Sequence, residues 1–206
     1  MNMRNDFCAL AAFLLAFDAI AQTEHAKPAS VTDTAREAGA AAAFEAIVPV
    51  LRHPRCMNCH SAGDFPRQGD DRHQHTMQVR RGPEGQGVNS VQCSTCHQDH
   101  NLAGVHMPPG APDWHLPPPE APMIWEGQTD GQLCELLKDP MQNGHRSVRQ
   151  IVEHMSTPLV LWGWNPGEGR SAVPMKLSTF QAHVRDWAAK GAACPAGTSA
   201  KEDREH

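Results

Sequence analysis

Cys56-Met57-Asn58-Cys59-His60 and Cys93-Ser94-Thr95-Cys96-His97 carry one short pattern twice: two cysteines separated by two residues, then a histidine at once. That spacing sets two thiols one porphyrin edge apart, where they can form thioethers to the haem vinyl groups, and it puts an imidazole under the iron. The expectation is two haem c groups held covalently by Cys56, Cys59, Cys93 and Cys96, with His60 and His97 as proximal iron ligands. Four thiolates on zinc are the competing reading, but zinc does not require a histidine after each pair. A redox-active dithiol needs only one pair and a thioredoxin-like strand and helix context, which this chain does not offer.

The rest of the chain suits haem chemistry outside the cytoplasm. Arg4 precedes an apolar run from Phe7 to Ile20 that closes on Ala19-Ile20-Ala21, so residues 1–21 read as a secretory signal cleaved before Gln22. The run is interrupted by Asp18 and is shorter than the roughly 20 residues of a membrane span. A periplasmic protein is expected. Of the seven cysteines, Cys8 lies in the signal and four lie in the motifs. The remaining Cys134 and Cys194 read as one disulfide, the default for an even remainder in an oxidising compartment. A formal net charge of −5 with no basic cluster gives no reason to expect a nucleic-acid partner.

Four segments combine a capping pattern with apolar spacing near 3.6, which predicts a mainly α protein with long Pro/Gly-rich loops. In the first, Thr34 and Glu37 form a capping box ahead of Phe44, Ile47 and Val48, and Pro49 ends or kinks the helix. The second pairs Thr129 with Gln132, carries Leu133, Leu136 and Leu137, and stops at Pro140. The third pairs Ser147 with Gln150 and aligns Val148, Ile151, Val152 and Met155 until Pro158. The fourth pairs Ser178 with Gln181, aligns Phe180, Val184 and Trp187, and ends at Gly191. Between them lie two long non-helical tracts, 61–92 and 98–127, a length that normally counts against compactness. A haem changes that judgement, because extended chain can pack on it and supply it with a ligand. Residues 22–32 read as a flexible linker, 33–195 as a single dihaem cytochrome c domain, and 196–206 as a disordered tail. Two tandem one-haem domains are less economical, because the segment between Cys59 and Cys93 is too short to supply both a distal ligand and a closing helix.

An iron that only transfers electrons needs a sixth ligand, whereas an open position permits binding or catalysis. Four residues stand out among thirteen histidines and nine methionines. His75 lies in the polar loop that must cover a haem, ahead of its neighbour His73. His154 sits at the edge of a helical apolar stripe. His115 and Met123 flank Leu116-Pro117-Pro118-Pro119, a polyproline-like segment that would hold them extended. Trp114, Trp125, Trp162, Trp164 and Trp187 are expected to pack on the haems or on one another, or to form a docking surface.

Several longer stretches are more specific than the haem motifs: His53-Pro54-Arg55-Cys56-Met57-Asn58-Cys59-His60, Gln68-Gly69-Asp70-Asp71, Trp114-His115-Leu116, Leu137-Lys138-Asp139, Trp162-Gly163-Trp164 and Gly191-Ala192-Ala193-Cys194-Pro195. In these pieces, over about residues 40–195, the chain resembles the small bacterial dihaem cytochromes described as the cytochrome subunit of isoquinoline 1-oxidoreductase-type molybdenum hydroxylases. The resemblance implies an electron-transfer subunit, not an enzyme on its own. It would accept electrons from a partner dehydrogenase, such as a molybdenum hydroxylase, and pass them to a membrane-associated acceptor and toward respiration. It carries the proximal ligands over to His60 and His97, and offers His75, His115, Met123 and His154 only as distal candidates. The alternative is a dihaem enzyme or sensor, peroxidase-like, with one open iron position.

Overall fold

The structure is a computed structural model that describes residues 30–197. The expected signal sequence lies outside those residues, as do most of the expected linker and tail. Six helices, α1 (Val31–Leu51), α2 (Pro54–Met57), α3 (Asp130–Lys138), α4 (Val148–His154), α5 (Pro158–Leu161) and α6 (Leu177–Ala189), make the fold mainly helical. Two minimal hairpins interrupt the first long tract: β1 (Arg67–Gln68) with β2 (His73–Gln74), and β3 (Gly87–Val88) with β4 (Val91–Gln92), both antiparallel.

The core forms where α1 and α6 lie together, with α3 and α4 closing it. Phe44, Ile47, Val50 and Leu51 of α1 meet Phe180, Val184 and Trp187 of α6, and all of them are buried. The rings of Phe44 and Trp187 pack tilted, with centroids 5.5 Å apart. Cys134 on α3 is disulfide-bonded to Cys194, 60 residues on. The chain beyond α6 is thereby fixed to α3, and the Trp187 indole N–H donates to the Ala193 carbonyl at 3.2 Å.

Helix boundaries follow the capping chemistry in two cases and depart from it in two. Thr129 and Gln132, and Ser147 and Gln150, form reciprocal capping boxes at the starts of α3 and α4. The first helix instead begins a turn before the expected Thr34 box, inside the stretch expected as linker. Ser30 is its N-cap and accepts from the Asp33 N–H at 3.2 Å, while the Thr34 hydroxyl donates back to the Ser30 carbonyl. Pro49 neither ends nor replaces the last turn, since the helix runs on to Leu51. The last helix starts at Leu177 behind Lys176 with no side-chain cap, leaving Ser178 inside it. Its C-terminal end does turn at Gly191, where φ is 93° and the left-handed conformation suits glycine.

Candidate functional site

Both C-x-x-C-H segments fold into the same local turn. The His60 N–H donates to the Cys56 carbonyl at 3.1 Å and the Cys59 N–H to the same carbonyl at 3.2 Å; His97 and Cys96 do likewise to Cys93, at 2.9 and 3.2 Å. Around the first motif this turn continues α2, which Pro54 starts at a position where its missing N–H costs nothing. Around the second it is a 3-10 turn at Cys93–Thr95.

Each histidine is then held in the same way by unrelated parts of the chain. His60 Nδ1 hydrogen-bonds the Met123 carbonyl at 2.9 Å, and its ring lies flat on Trp125, centroids 3.7 Å apart and planes within 1°. His97 Nδ1 hydrogen-bonds the Pro109 carbonyl at 2.7 Å, and its ring lies flat on Trp114 at 4.5 Å and 2°. A carbonyl accepts only, so Nδ1 carries the proton in both rings and Nε2 keeps its lone pair. A backbone or carboxylate partner on the other ring nitrogen is how metal-bound histidines are oriented and made more basic.

The supporting loops are built for these contacts. The Trp125 N–H donates to the His60 carbonyl at 3.0 Å, and the Trp125 carbonyl accepts from Arg52 at 2.9 Å. Met123 adopts φ 47°, a conformation rare for a non-glycine residue, and presents its carbonyl to His60. Gly110 follows the acceptor Pro109 in a turn so close that a Cβ there would sit 2.2 Å from the carbonyl oxygens of Gln98 and His100. The Trp162 indole donates to Asn101 at 3.0 Å, and its ring meets Trp114 edge-on at 5.0 Å. The Arg55 guanidinium lies over the Trp162 ring, 5.6 Å from its centre. A continuous run of cation and aromatic side chains therefore links the residue before Cys56 to His97.

The first motif is partly buried, and burial dominates its electrostatics. Burial pushes the Cys56 thiol up to about 12 and the Cys59 thiol up to about 11. The His60 imidazole is pushed down to about 3, by burial first, with smaller electrostatic contributions from His154 and Arg81. Burial likewise pushes His154 down to about 4, with Arg146 and His115 contributing. The same neighbourhood leaves three buried polar atoms without a protein partner: Arg55 Nε, Asn58 Oδ1 and Trp125 Nε1. Two of them are donors suited to a carboxylate such as a haem propionate, and all three belong to the first motif, its flank or its stacking partner.

The four distal candidates fall in different places. His154 is within electrostatic range of His60, and His115 is within electrostatic range of His154. His75 lies against His97, ring centroids 6.1 Å apart. Met123 is buried in the core and touches the site through its carbonyl. The sequence gives no sign that Trp114 and Trp125 stack on His97 and His60 in particular, and the carbonyls of Met123 and Pro109 carry no side-chain signal at all. Among the described residues, no group of three or more His, Cys, Asp or Glu side chains is gathered as a metal ion would require. Among the same residues, no helix is long and apolar enough to cross a membrane. Searches against protein-family models, curated proteins and solved structures find no match to this chain.

Proposed function

We propose that the chain is a periplasmic dihaem c-type cytochrome, an electron-transfer subunit that takes electrons from a partner dehydrogenase and passes them on toward a membrane-associated acceptor. The observation that carries this reading is the paired treatment of His60 and His97. Each imidazole follows a C-x-x-C turn, has Nδ1 bound to a main-chain carbonyl, rests flat on a tryptophan and keeps Nε2 for iron. Residues fit for haem are present at both sites: Cys56, Cys59 and His60 at one, Cys93, Cys96 and His97 at the other. Bound haem would supply one-electron chemistry, with a potential tuned by axial ligand and burial.

The chain's own residues do the rest. Trp125 and Trp114 fix the imidazole planes, and the two carbonyls fix the tautomer. Cys96 is exposed, so the second motif reaches the surface, where a redox partner can approach. At the second motif, His75 at 6.1 Å from His97 supports a closed iron over the open, peroxidase-like arrangement. A molybdenum hydroxylase as electron donor rests on the sequence resemblance alone.

The test is expression in a host that exports the chain and ligates haem. The expected product is red, heavier than the bare mature chain by two haems, and reversibly reduced and reoxidised. A colourless product of bare-chain mass refutes the reading.

A further inference from the structure

We propose that His75 is the sixth ligand of the iron whose proximal ligand is His97, an assignment that rests on the two-haem reading above. Two metal–imidazole bonds of about 2 Å each, with each ring centre roughly 1 Å behind its nitrogen, separate the ring centres by about 6 Å. His75 and His97 stand at 6.1 Å with planes inclined by 64°. The inclination is no obstacle, since each axial ring turns independently about its own bond to the metal.

Ordinary edge contacts between rings also fall in this distance range. What singles this pair out is the hydrogen bonding. His75 Nδ1 is taken by the Thr76 carbonyl and His97 Nδ1 by the Pro109 carbonyl. Each ring is thereby fixed in the same tautomer, and no hydrogen bond is made by either Nε2 among the described residues.

The backbone around His75 is anchored rather than adrift. The β1–β2 hairpin is extended by the His75 N–H, which donates to the Pro66 carbonyl at 3.1 Å. Just before that, the Arg67 N–H donates to the Asn58 carbonyl at 2.8 Å, tying the hairpin to the first motif. The loop over the second iron is thus hung from the protein segment that holds the first. Among the rivals, His73 is exposed and bonded to Asp71 at 2.6 Å, and Met123 is buried in the core and meets His60 through its carbonyl. Paired histidines make the second haem the lower-potential kind relative to a histidine–methionine haem.

The test uses the full chain, exported and matured with haem. In His75→Ala, both haems stay covalently attached by mass, one of the two turns high-spin and binds carbon monoxide, and added imidazole restores the low-spin spectrum. His75→Met stays six-coordinate, shows a thioether–iron signature at one haem and raises one midpoint potential. His73→Ala leaves the wild-type spectrum unchanged. The assignment is overturned if His75→Ala keeps both haems low-spin and inert to carbon monoxide, or if the wild-type near-infrared magnetic spectrum contains no bis-imidazole haem. Either result leaves two covalent haems in place, whereas a chain without covalent haem sinks the functional reading instead.

Discussion

Asp70→Asn should destabilise the protein at neutral pH and do nothing in acid. The Arg55 side chain, one residue before Cys56, is 1% exposed, while its partner Asp70 is 48% exposed. The guanidinium donates to the Asp70 carboxylate and to the Gly69 carbonyl at 3.0 Å, and its Nε has no protein partner. Replacing the carboxylate leaves a buried cation on neutral acceptors. Breaking a fully buried pair costs about 3–5 kcal/mol. Half the carboxylate is in water, where screening reduces the interaction, so the expected cost is about 2 kcal/mol.

The pH dependence separates this cause from a generic packing defect. Burial raises the Asp70 pKa, but the Ser171 backbone N–H and hydroxyl, Arg55 and His53 outweigh it, and the net direction is down. A folded-state pKa below the unfolded one means that the stabilisation is fully present above the unfolded value of about 3.9. It is lost as pH falls through the folded value. Denaturant unfolding of the holoprotein, followed by far-ultraviolet circular dichroism, should therefore show a gap of about 2 kcal/mol between wild type and Asp70→Asn at pH 7. That gap should close below the unfolded pKa of about 3.9, where wild-type Asp70 is itself being neutralised. A gap under about 0.5 kcal/mol at pH 7, within the range of an ordinary surface change, refutes the reasoning. So does a gap that persists unchanged in acid.

Other consequences can be measured on the same holoprotein. Replacing Cys134 and Cys194 together by alanine opens a loop of 60 residues, and the unfolding midpoint should fall by the equivalent of about 4 kcal/mol. Ser147→Ala removes the hydroxyl that accepts from the Gln150 N–H and should cost about 1 kcal/mol in the same unfolding assay.

The helices were legible in the sequence to the extent that their ends are chemical. Thr129 with Gln132 and Ser147 with Gln150 satisfy each other's orphan groups, a local arrangement that leaves a fixed spacing. The first helix starts a turn before the Thr34 signal because Ser30 caps it, its hydroxyl accepting from the Asp33 N–H ahead of any box at Thr34. Ser178 misled for the opposite reason. With Phe180 buried against Trp164, centroids 5.0 Å apart, tertiary packing can set where α6 begins without any side-chain cap. The hairpins in the first tract are two residues per strand and were hidden by their brevity.

The site divides along the same line. The thiols and proximal histidines are contiguous, so a single turn of chain defines them and the sequence displays them. What orients those histidines is distant and partly made of backbone: the Met123 carbonyl and Trp125 for His60, the Pro109 carbonyl and Trp114 for His97. The acceptor and the stacking ring are two residues apart in one case and five in the other, so no periodic motif records the pairing. Yet both sites reach the same arrangement, a proton held on Nδ1 and a flat aromatic wall. An iron ligand, the role proposed for both histidines, needs a neutral imidazole with one nitrogen free and a fixed plane, and an acceptor plus a stacked ring is a small set of groups that supplies both. The long proline- and glycine-rich tract from 98 to 127, which looks like excess loop when read for helices, delivers both carbonyls and both tryptophans. Its length follows from having two histidines to hold.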